Sequence, residues 1–252
     1  MRRLIWHNRL MILSAVMLLG GARVAVQAQT NELPGVETIV QRALTGAISN
    51  EAGYVTQFNT RYCYKRVRTW QYHDEAGKLT GVKIKETREN LPRTGRGTLP
   101  PQPIVRGRDL NLDDYPVTNI VSRFEFTLVG VEDVNGRPAY VLDFVPRQNL
   151  PVDKFIDPFV NRATGRIWID RADYAVAKGR FHLNAPVDIV KGLVGQVRQF
   201  SCSFSRGRTA AGCWFVERME WHLDRRLGLV SRIVDYREQR IDLQAVAAGP
   251  PP

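Results

Sequence analysis

Residues 124–146 read FEFTLVGVEDVNGRPAYVLDFVP, and this stretch decides the fold. Apolar and polar residues alternate on both sides of Asn135-Gly136, a pair that favours a two-residue turn between antiparallel strands. Such alternation is typical of a sheet with one buried face and one solvated face. The stretch therefore predicts a β-hairpin whose buried face carries Phe124, Phe126 and Leu128 on the first strand and Tyr140, Leu142 and Phe144 on the second.

Most of the remaining chain shows the same alternation. It predicts further strands in residues 62–74, 78–90, 165–181, 198–204, 213–224 and 227–241. Residues 35–49 instead carry apolar residues at helical spacing and predict an amphipathic helix of about four turns. A short helix is expected at residues 157–162. The sequence thus predicts a mainly β (α+β) protein, with roughly ten antiparallel strands that must curl or close over an N-terminal helix.

The first residues predict export. Residues 1–28 combine arginines, a short apolar run and small residues before Ala28, the pattern of a signal peptide cleaved after Ala28. A membrane anchor is the weaker alternative, because the apolar run is shorter than the ~20 residues that a span needs. We expect one domain over residues 29–245 and a disordered tail at 246–252. The net charge of +11 favours contact with anionic membrane or an acidic partner, and no nucleic-acid-binding motif is present.

Motifs of known enzyme classes are missing from the sequence. It has no GxSxG, no HExxH and no glycine-rich phosphate loop, and its four histidines do not have metal-ligand spacing. We therefore expect no catalysis, no metal and no cofactor. Of the three cysteines, Cys202 and Cys213 flank the turn of a predicted hairpin and form the candidate disulfide, which would leave Cys63 as a free thiol.

The strand within GRIWIDRADYAVAKGRF (165–181) has a small apolar face formed by Ala175, Ala177 and Gly179, ending at Phe181. Two interpretations stay open: this face borders a ligand cavity, or it admits close packing of the helix. The cavity interpretation gives the candidate lining residues Phe126, Leu128, Leu142, Phe144, Ala175, Ala177, Gly179 and Phe181. A short amphipathic segment with Ile189, Val190, Leu193 and Val194 is the candidate lid over that cavity.

The patterns V-x-G-R-x-A-Y-x-L-D-F (134–144) and G-x-I-W-I-D (165–170) resemble strand patterns of the LolA-like superfamily of periplasmic proteins. The resemblance covers roughly residues 35–240. The superfamily includes outer-membrane lipoprotein-sorting carriers and RseB-type stress sensors. The resemblance implies an unclosed, highly curved half-barrel over an N-terminal helix and short lid helices, with an apolar interior that binds acyl chains. The arginine that controls lid opening in the carriers has no matching position here.

The leading hypothesis is a periplasmic, monomeric carrier of a lipid or lipoprotein acyl chain, acting in outer-membrane lipoprotein sorting. An exposed acyl chain costs ~0.8 kcal/mol per CH₂ in water, so transport needs an apolar, shielded site. The alternative is an RseB-type sensor that binds lipid or an envelope protein without transfer. An enzyme on the same sheet and a purely structural envelope protein are the remaining possibilities.

Overall fold

The computed structural model describes residues 33–89, 117–189 and 195–246, so the predicted signal peptide and most of the predicted tail lie outside it. The helices in these ranges are α1 (Val36–Arg61), α2 (Val117–Val121) and α3 (Asp157–Val160). The strands are β1 (Tyr62–His73), β2 (Leu79–Glu89), β3 (Phe124–Val134), β4 (Arg137–Pro146), β5 (Ala163–Asp170), β6 (Val176–Leu183), β7 (Val187–Ile189), β8 (Gly195–Arg208), β9 (Trp214–Leu227) and β10 (Val230–Ala245). No helix of these ranges is long and apolar enough to cross a membrane.

One sheet of ten strands contains all of these strands, in the order β2-β1-β10-β9-β8-β6-β5-β4-β3, with the short β7 also paired to β8. Every pairing is antiparallel. β2 and β3 form the two edges, and the sheet does not close. The predicted class, a mainly β protein with an unclosed antiparallel sheet, is confirmed.

The turn between β3 and β4 follows from its two central residues. Asn135 and Gly136 have φ values of 55° and 78°, the left-handed conformation that a type I′ turn requires at both positions. The Gly136 N–H also donates to the Asp133 carboxylate at 2.7 Å. This turn sets the register from Val134–Arg137 to Gly130–Val141, and an irregularity between Leu128 and Gly130 then shifts the pairing by one residue, so that Phe126 lies opposite Phe144. The hairpin predicted from residues 124–146 is confirmed.

Helix α1 is longer than the predicted helix. It begins after Gly35 and continues to Arg61, 26 residues in all. Ile39 is fully buried on its inner side, whereas Ile48, near the predicted end of the helix, is 64% exposed. The extension brings Phe58 against β1 and β9, where its ring stacks on Phe215 at 4.8 Å. Tertiary packing of Phe58 thus accounts for helix beyond the predicted end.

The two faces of the sheet differ in chemistry. We call the face that packs against α1 the inner face; its core includes Leu142, Phe181 and Trp221 together with Ile39 of the helix. The opposite side is the outer face. Most charged residues of the strands lie there. Arg66, Arg68, Glu238 and Arg240 are exceptions, because they share the side of β1 and β10 that carries the core residues Trp70 and Tyr236.

The two patterns that carry the family resemblance contact each other through ion pairs between β4 and β5. Arg137 of the first pattern donates to both oxygens of Asp170 in the second, at 2.6 and 2.8 Å. Arg166 of the second donates to both oxygens of Asp143 in the first, at 2.6 and 2.9 Å. The charged letters of these patterns therefore fix the pairing of two adjacent strands.

Connections between strands match the sequence expectations in one place and differ in another. The short helix expected at residues 157–162 is present as α3. Its buried Asp157 accepts hydrogen bonds from the backbone N–H groups of Asp153 and Lys154, both at 2.8 Å. The amphipathic helical segment expected near residue 189 is wrong at its start, because Val187–Ile189 forms a strand paired to β8.

Candidate functional site: a polar groove on the outer face

A groove of about 840 Å³ crosses the outer face of the sheet from β1 to β4. Each strand contributes two side chains that point outward and are separated by one inward-facing residue. On β6, for example, Arg180 and His182 line the groove and the buried Phe181 lies between them. The floor of the groove is therefore sheet backbone, and its walls are mostly polar side chains. We call this site the polar groove.

The register of the strands arranges these side chains in two rows. From β1 to β4 the first row is Thr69, Arg237, Glu220, Ser203, Arg180, Arg166 and Asp143. The second row is Gln71, Asp235, His222, Ser201, His182 and Thr164, and Val145 lies beyond it on β4. Adjacent strands lie ~4.8 Å apart, so neighbours in a row are close enough to contact one ligand.

Side-chain size gives the polar groove its shape. On β8 the rows contain the short hydroxyl side chains of Ser201 and Ser203. The flanking strands β9 and β6 present longer ones, including Glu220 and Arg180. Small residues in the middle and long charged residues on both sides leave a depression whose centre is lined by hydroxyl groups.

Carboxylates on the β9–β10 side of the groove are in contact with basic side chains. Arg237 donates to Glu220 at 2.8 Å. The Asp235 carboxylate lies between two histidines, 2.7 Å from His222 Nδ1 and 3.5 Å from His73 Nδ1. This wall is therefore a network in which each acid is already paired.

The β5–β6 side carries the larger share of positive charge. Arg166 and Arg180 lie directly opposite each other on the same face. The hydrogen bonds from Arg166, with electrostatic help from Arg180, hold the pKa of Asp143 below its usual range. The Arg180 guanidinium also lies 5.6 Å from the centre of the Trp168 ring, and Lys178 lies 4.4 Å from the same ring.

One part of the second row has the residue types of a catalytic triad. Ser201, His222 and Asp235 are consecutive across β8, β9 and β10. Asp235 contacts His222, but no hydrogen bond joins the Ser201 hydroxyl to His222 among the described residues, and a nucleophile needs such a base. Within the same ranges, no three His, Cys, Asp or Glu side chains are grouped as metal ligands.

The predicted cavity residues on β3 and β4 lie on the inner face. Leu142 and Phe144 are fully buried, while Phe126 and Leu128 on the edge strand β3 are only partly buried. The Phe126 ring centre is 6.2 Å from that of Phe144. On β6, Phe181 also belongs to this core. The structure thus brings the predicted large apolar residues together, next to an incompletely covered sheet edge.

The small residues on and before β6 divide between two environments. An irregularity in the β5–β6 pairing at Ala177 separates it from Gly179. Ala175 and Ala177 form a cluster with Trp214, apart from the main core. A Cβ on Gly179 would lie 2.5 Å from the Phe204 ring, so glycine is needed there for close packing. The neighbours of these small residues therefore include the aromatic rings of Trp214 and Phe204.

Most of the predicted lid residues lie outside the described ranges, and the predicted disulfide is not formed. Ile189 is buried in β7, while Val190, Leu193 and Val194 lie outside the described residues. No disulfide joins Cys63, Cys202 or Cys213 to another residue within the described ranges. The predicted Cys202–Cys213 disulfide is wrong in this structure, because Cys202 lies opposite Trp221, whereas Cys213 lies at the far end of the hairpin beside the pair Arg208–Trp214.

The polar groove was missed from sequence. Its residues were correctly placed on the wet face of the strands, but charged residues on that face are ordinary, and only the register aligns them. One signal for the groove was present in the sequence. Ser201 and Ser203 are small polar residues on one predicted strand, and the predicted strands before and after it carry long charged side chains.

Comparisons with known proteins give similarity at the level of structure alone. No family model matches the chain, and no curated protein matches it. A solved domain named for outer membrane lipoprotein sorting, from Vibrio parahaemolyticus, is 11% identical, with a TM-score of 0.34 over 83% of this chain and 92% of that one. A LolA superfamily protein from Nitrosomonas europaea is 12% identical, with a TM-score of 0.33 over 86% and 96%.

The chain has structural neighbours in the LolA superfamily. A third neighbour is MucB, solved in complex with MucA, at 11% identity and a TM-score of 0.25 over 85% of this chain and 100% of that one. These values are too low to transfer a ligand or a residue role from any of them. The function must be argued from the chain's own residues.

Proposed function

We propose that the chain is an exported, non-catalytic binding protein that holds a lipid acyl chain, or an acyl chain of a lipoprotein, against the inner face of its sheet. Acyl transport in outer-membrane lipoprotein sorting is the role that this activity would serve. The export signal in residues 1–28 and the strand patterns that resemble the LolA-like superfamily support the proposal.

The observation that carries the proposal is the apolar inner face of the edge strand β3. Phe126 and Leu128 are only partly buried there. Val131 lies opposite the buried Tyr140, faces the same side and is 39% exposed. This strand continues the aromatic core through Phe124, whose ring centre is 5.1 Å from that of Phe144. An acyl chain laid along β3 would cover apolar surface that the described residues leave accessible.

Displacement of a fluorescent fatty acid from the purified mature protein tests the proposal. The chain offers a matched pair of exposed valines on adjacent strands: Val131 on the inner face and Val145, 48% exposed, on the outer face. We expect Val131→Asn to weaken fatty acid binding several-fold and Val145→Asn to leave it unchanged. Phe126→Ala should weaken binding more, because it removes a larger apolar contact.

Two results would count against the proposal. If the wild-type protein binds neither fatty acid nor lipopeptide, the proposal of acyl binding is refuted. Equal effects of the two valine substitutions would mean that bound lipid does not contact the inner face. Where binding is found, transfer of the lipid between donor and acceptor vesicles separates a carrier from a sensor that binds without transfer.

A further inference from the structure

The β5–β6 end of the polar groove has an unbalanced positive charge. Arg166 and Arg180 are cross-strand neighbours, and like charges in that position destabilise a sheet. Asp143 is bound at both oxygens by Arg166. Among the residues that the structure describes, no carboxylate lies within ion-pair distance of Arg180. An exposed arginine without its own carboxylate remains beside one that is fully paired.

The acids elsewhere in the groove do not supply the missing charge. Glu220 is held by Arg237, and Asp235 is shared by His222 and His73. Each of these two carboxylates therefore already has a side-chain partner within 4 Å. The remaining positive charge at Arg180 is available to an anion from solution.

Neutral hydrogen-bond donors surround Arg180. Ser203 lies directly opposite Arg180 on β8, and Ser201 lies opposite His182. All four side chains line the groove, and Arg180, His182 and Ser201 are exposed. A guanidinium, two hydroxyl groups and an imidazole offer more donors than the two oxygens of a carboxylate accept well, whereas a phosphate group presents three or more oxygens.

We propose that Arg180, His182, Ser201 and Ser203 bind a phosphate group at this end of the polar groove. Arg180 provides the charge and a planar pair of donors, and the two serines donate from the centre of the groove. The phosphate belongs either to a soluble phosphate compound or to a lipid headgroup. This site lies on the opposite face of the sheet from the proposed acyl site and is independent of it.

Calorimetric titration of the mature protein with inorganic phosphate and with glycerol 3-phosphate tests the site. We expect saturable binding that Arg180→Gln weakens at least tenfold. Arg226→Gln is the matched control, because Arg226 is also exposed but lies outside the groove lining. It removes the same charge and should change affinity less than twofold. Ser203→Ala, which changes no charge, should weaken binding several-fold.

Sedimentation with phosphatidylglycerol vesicles identifies the source of the phosphate. Vesicle binding that falls more for Arg180→Gln than for Arg226→Gln, and that free phosphate competes for, indicates a headgroup. Vesicle binding that is equal in the two variants, with phosphate binding intact, indicates a soluble compound.

The site is refuted if neither probe binds saturably up to millimolar concentrations, or if Arg180→Gln and Arg226→Gln weaken binding equally. Fatty acid displacement measured on the same samples keeps this result separate from the acyl proposal. If the wild-type protein binds fatty acid but not phosphate, the phosphate site is refuted and the acyl proposal is unaffected. A melting curve for each variant confirms that the substituted protein is folded.

Discussion

The pairs Arg137–Asp170 and Arg166–Asp143 join the same two strands on the same face with the same bidentate chemistry, yet they lie in different environments. The Asp170 side chain is 1% exposed and that of Asp143 is 42% exposed. Asp170 also accepts the backbone N–H groups of Ala172 and Asp173, at 2.9 and 3.2 Å. One carboxylate is an anchor of the β5–β6 turn, and the other belongs to the wall of an open groove.

The difference arises from what covers each pair. Trp214 packs over Ala175 and Ala177 next to the Asp170 turn, and its indole N–H donates to Asp173 at 3.0 Å. Within residues 33–89, 117–189 and 195–246, no aromatic cover of this kind is found over Asp143, which lines the groove. Pairs of identical chemistry thus lie in a buried turn in one place and in a solvent-open groove in the other, and burial distinguishes them.

The largest effect is expected where the buried pair is broken. Asp170→Asn keeps one oxygen for the N–H groups of the turn but removes the negative charge and puts an amide NH2 group against the Arg137 guanidinium, so it should lower the free energy of unfolding by about 3–5 kcal/mol. Asp143→Asn is the matched control and should cost no more than about 1 kcal/mol, because its pair is solvent-exposed. Urea denaturation measures both. Equal losses would show that burial does not separate the two pairs.

The sequence allowed the strands and the hairpin at Asn135-Gly136 to be predicted, because alternation and turn chemistry are local signals. It did not reveal that Arg137 would meet Asp170 rather than solvent, since that depends on how β4 and β5 align. The polar groove depends on the same kind of information across many strands. The failed Cys202–Cys213 pairing has this origin too, because residues that flank a turn are opposite each other only if equally distant from its centre.

A second test extends the comparison to glycines. Gly179 lies on the buried side of β6, where an added Cβ would be 2.5 Å from Phe204, whereas a Cβ on Gly81 of the edge strand β2 would be 3.9 Å from Tyr72. Gly179→Ala should cost about 1–3 kcal/mol through overpacking. Gly81→Ala should be close to neutral. Thermal or urea unfolding of both variants decides the matter, and a neutral Gly179→Ala would mean that Phe204 has room to move.

The two ion pairs should also differ, by a smaller amount, in how strongly the free energy of unfolding depends on pH below about pH 4. Burial alone would raise the pKa of Asp170, but hydrogen bonds from Arg137 and the Ala172 N–H outweigh it, so the pKa is lowered. A depressed carboxyl pKa stabilises the fold above the unfolded value of about 3.9, and this contribution is lost as the pH falls through the folded value. Below about pH 4, wild-type stability should fall more steeply than that of Asp170→Asn. Asp143→Asn should retain most of the wild-type slope.

The smallest effect concerns the exposed pair alone. A double-mutant cycle of Asp143→Asn and Arg166→Gln should give a coupling of about 0.2–1 kcal/mol, because solvent screens the charges and two side chains must be ordered to meet. Raising the ionic strength to about 1 M shortens the screening length to ~3 Å and should reduce this coupling, since the Asp143 carboxylate is open to solvent. The same cycle on Asp170→Asn and Arg137→Gln should keep most of its coupling, because solvent ions do not reach a carboxylate that is 1% exposed. A salt-independent coupling for Arg166–Asp143 would mean that this pair is shielded, and the polar groove would then be less open to ligands than its geometry indicates.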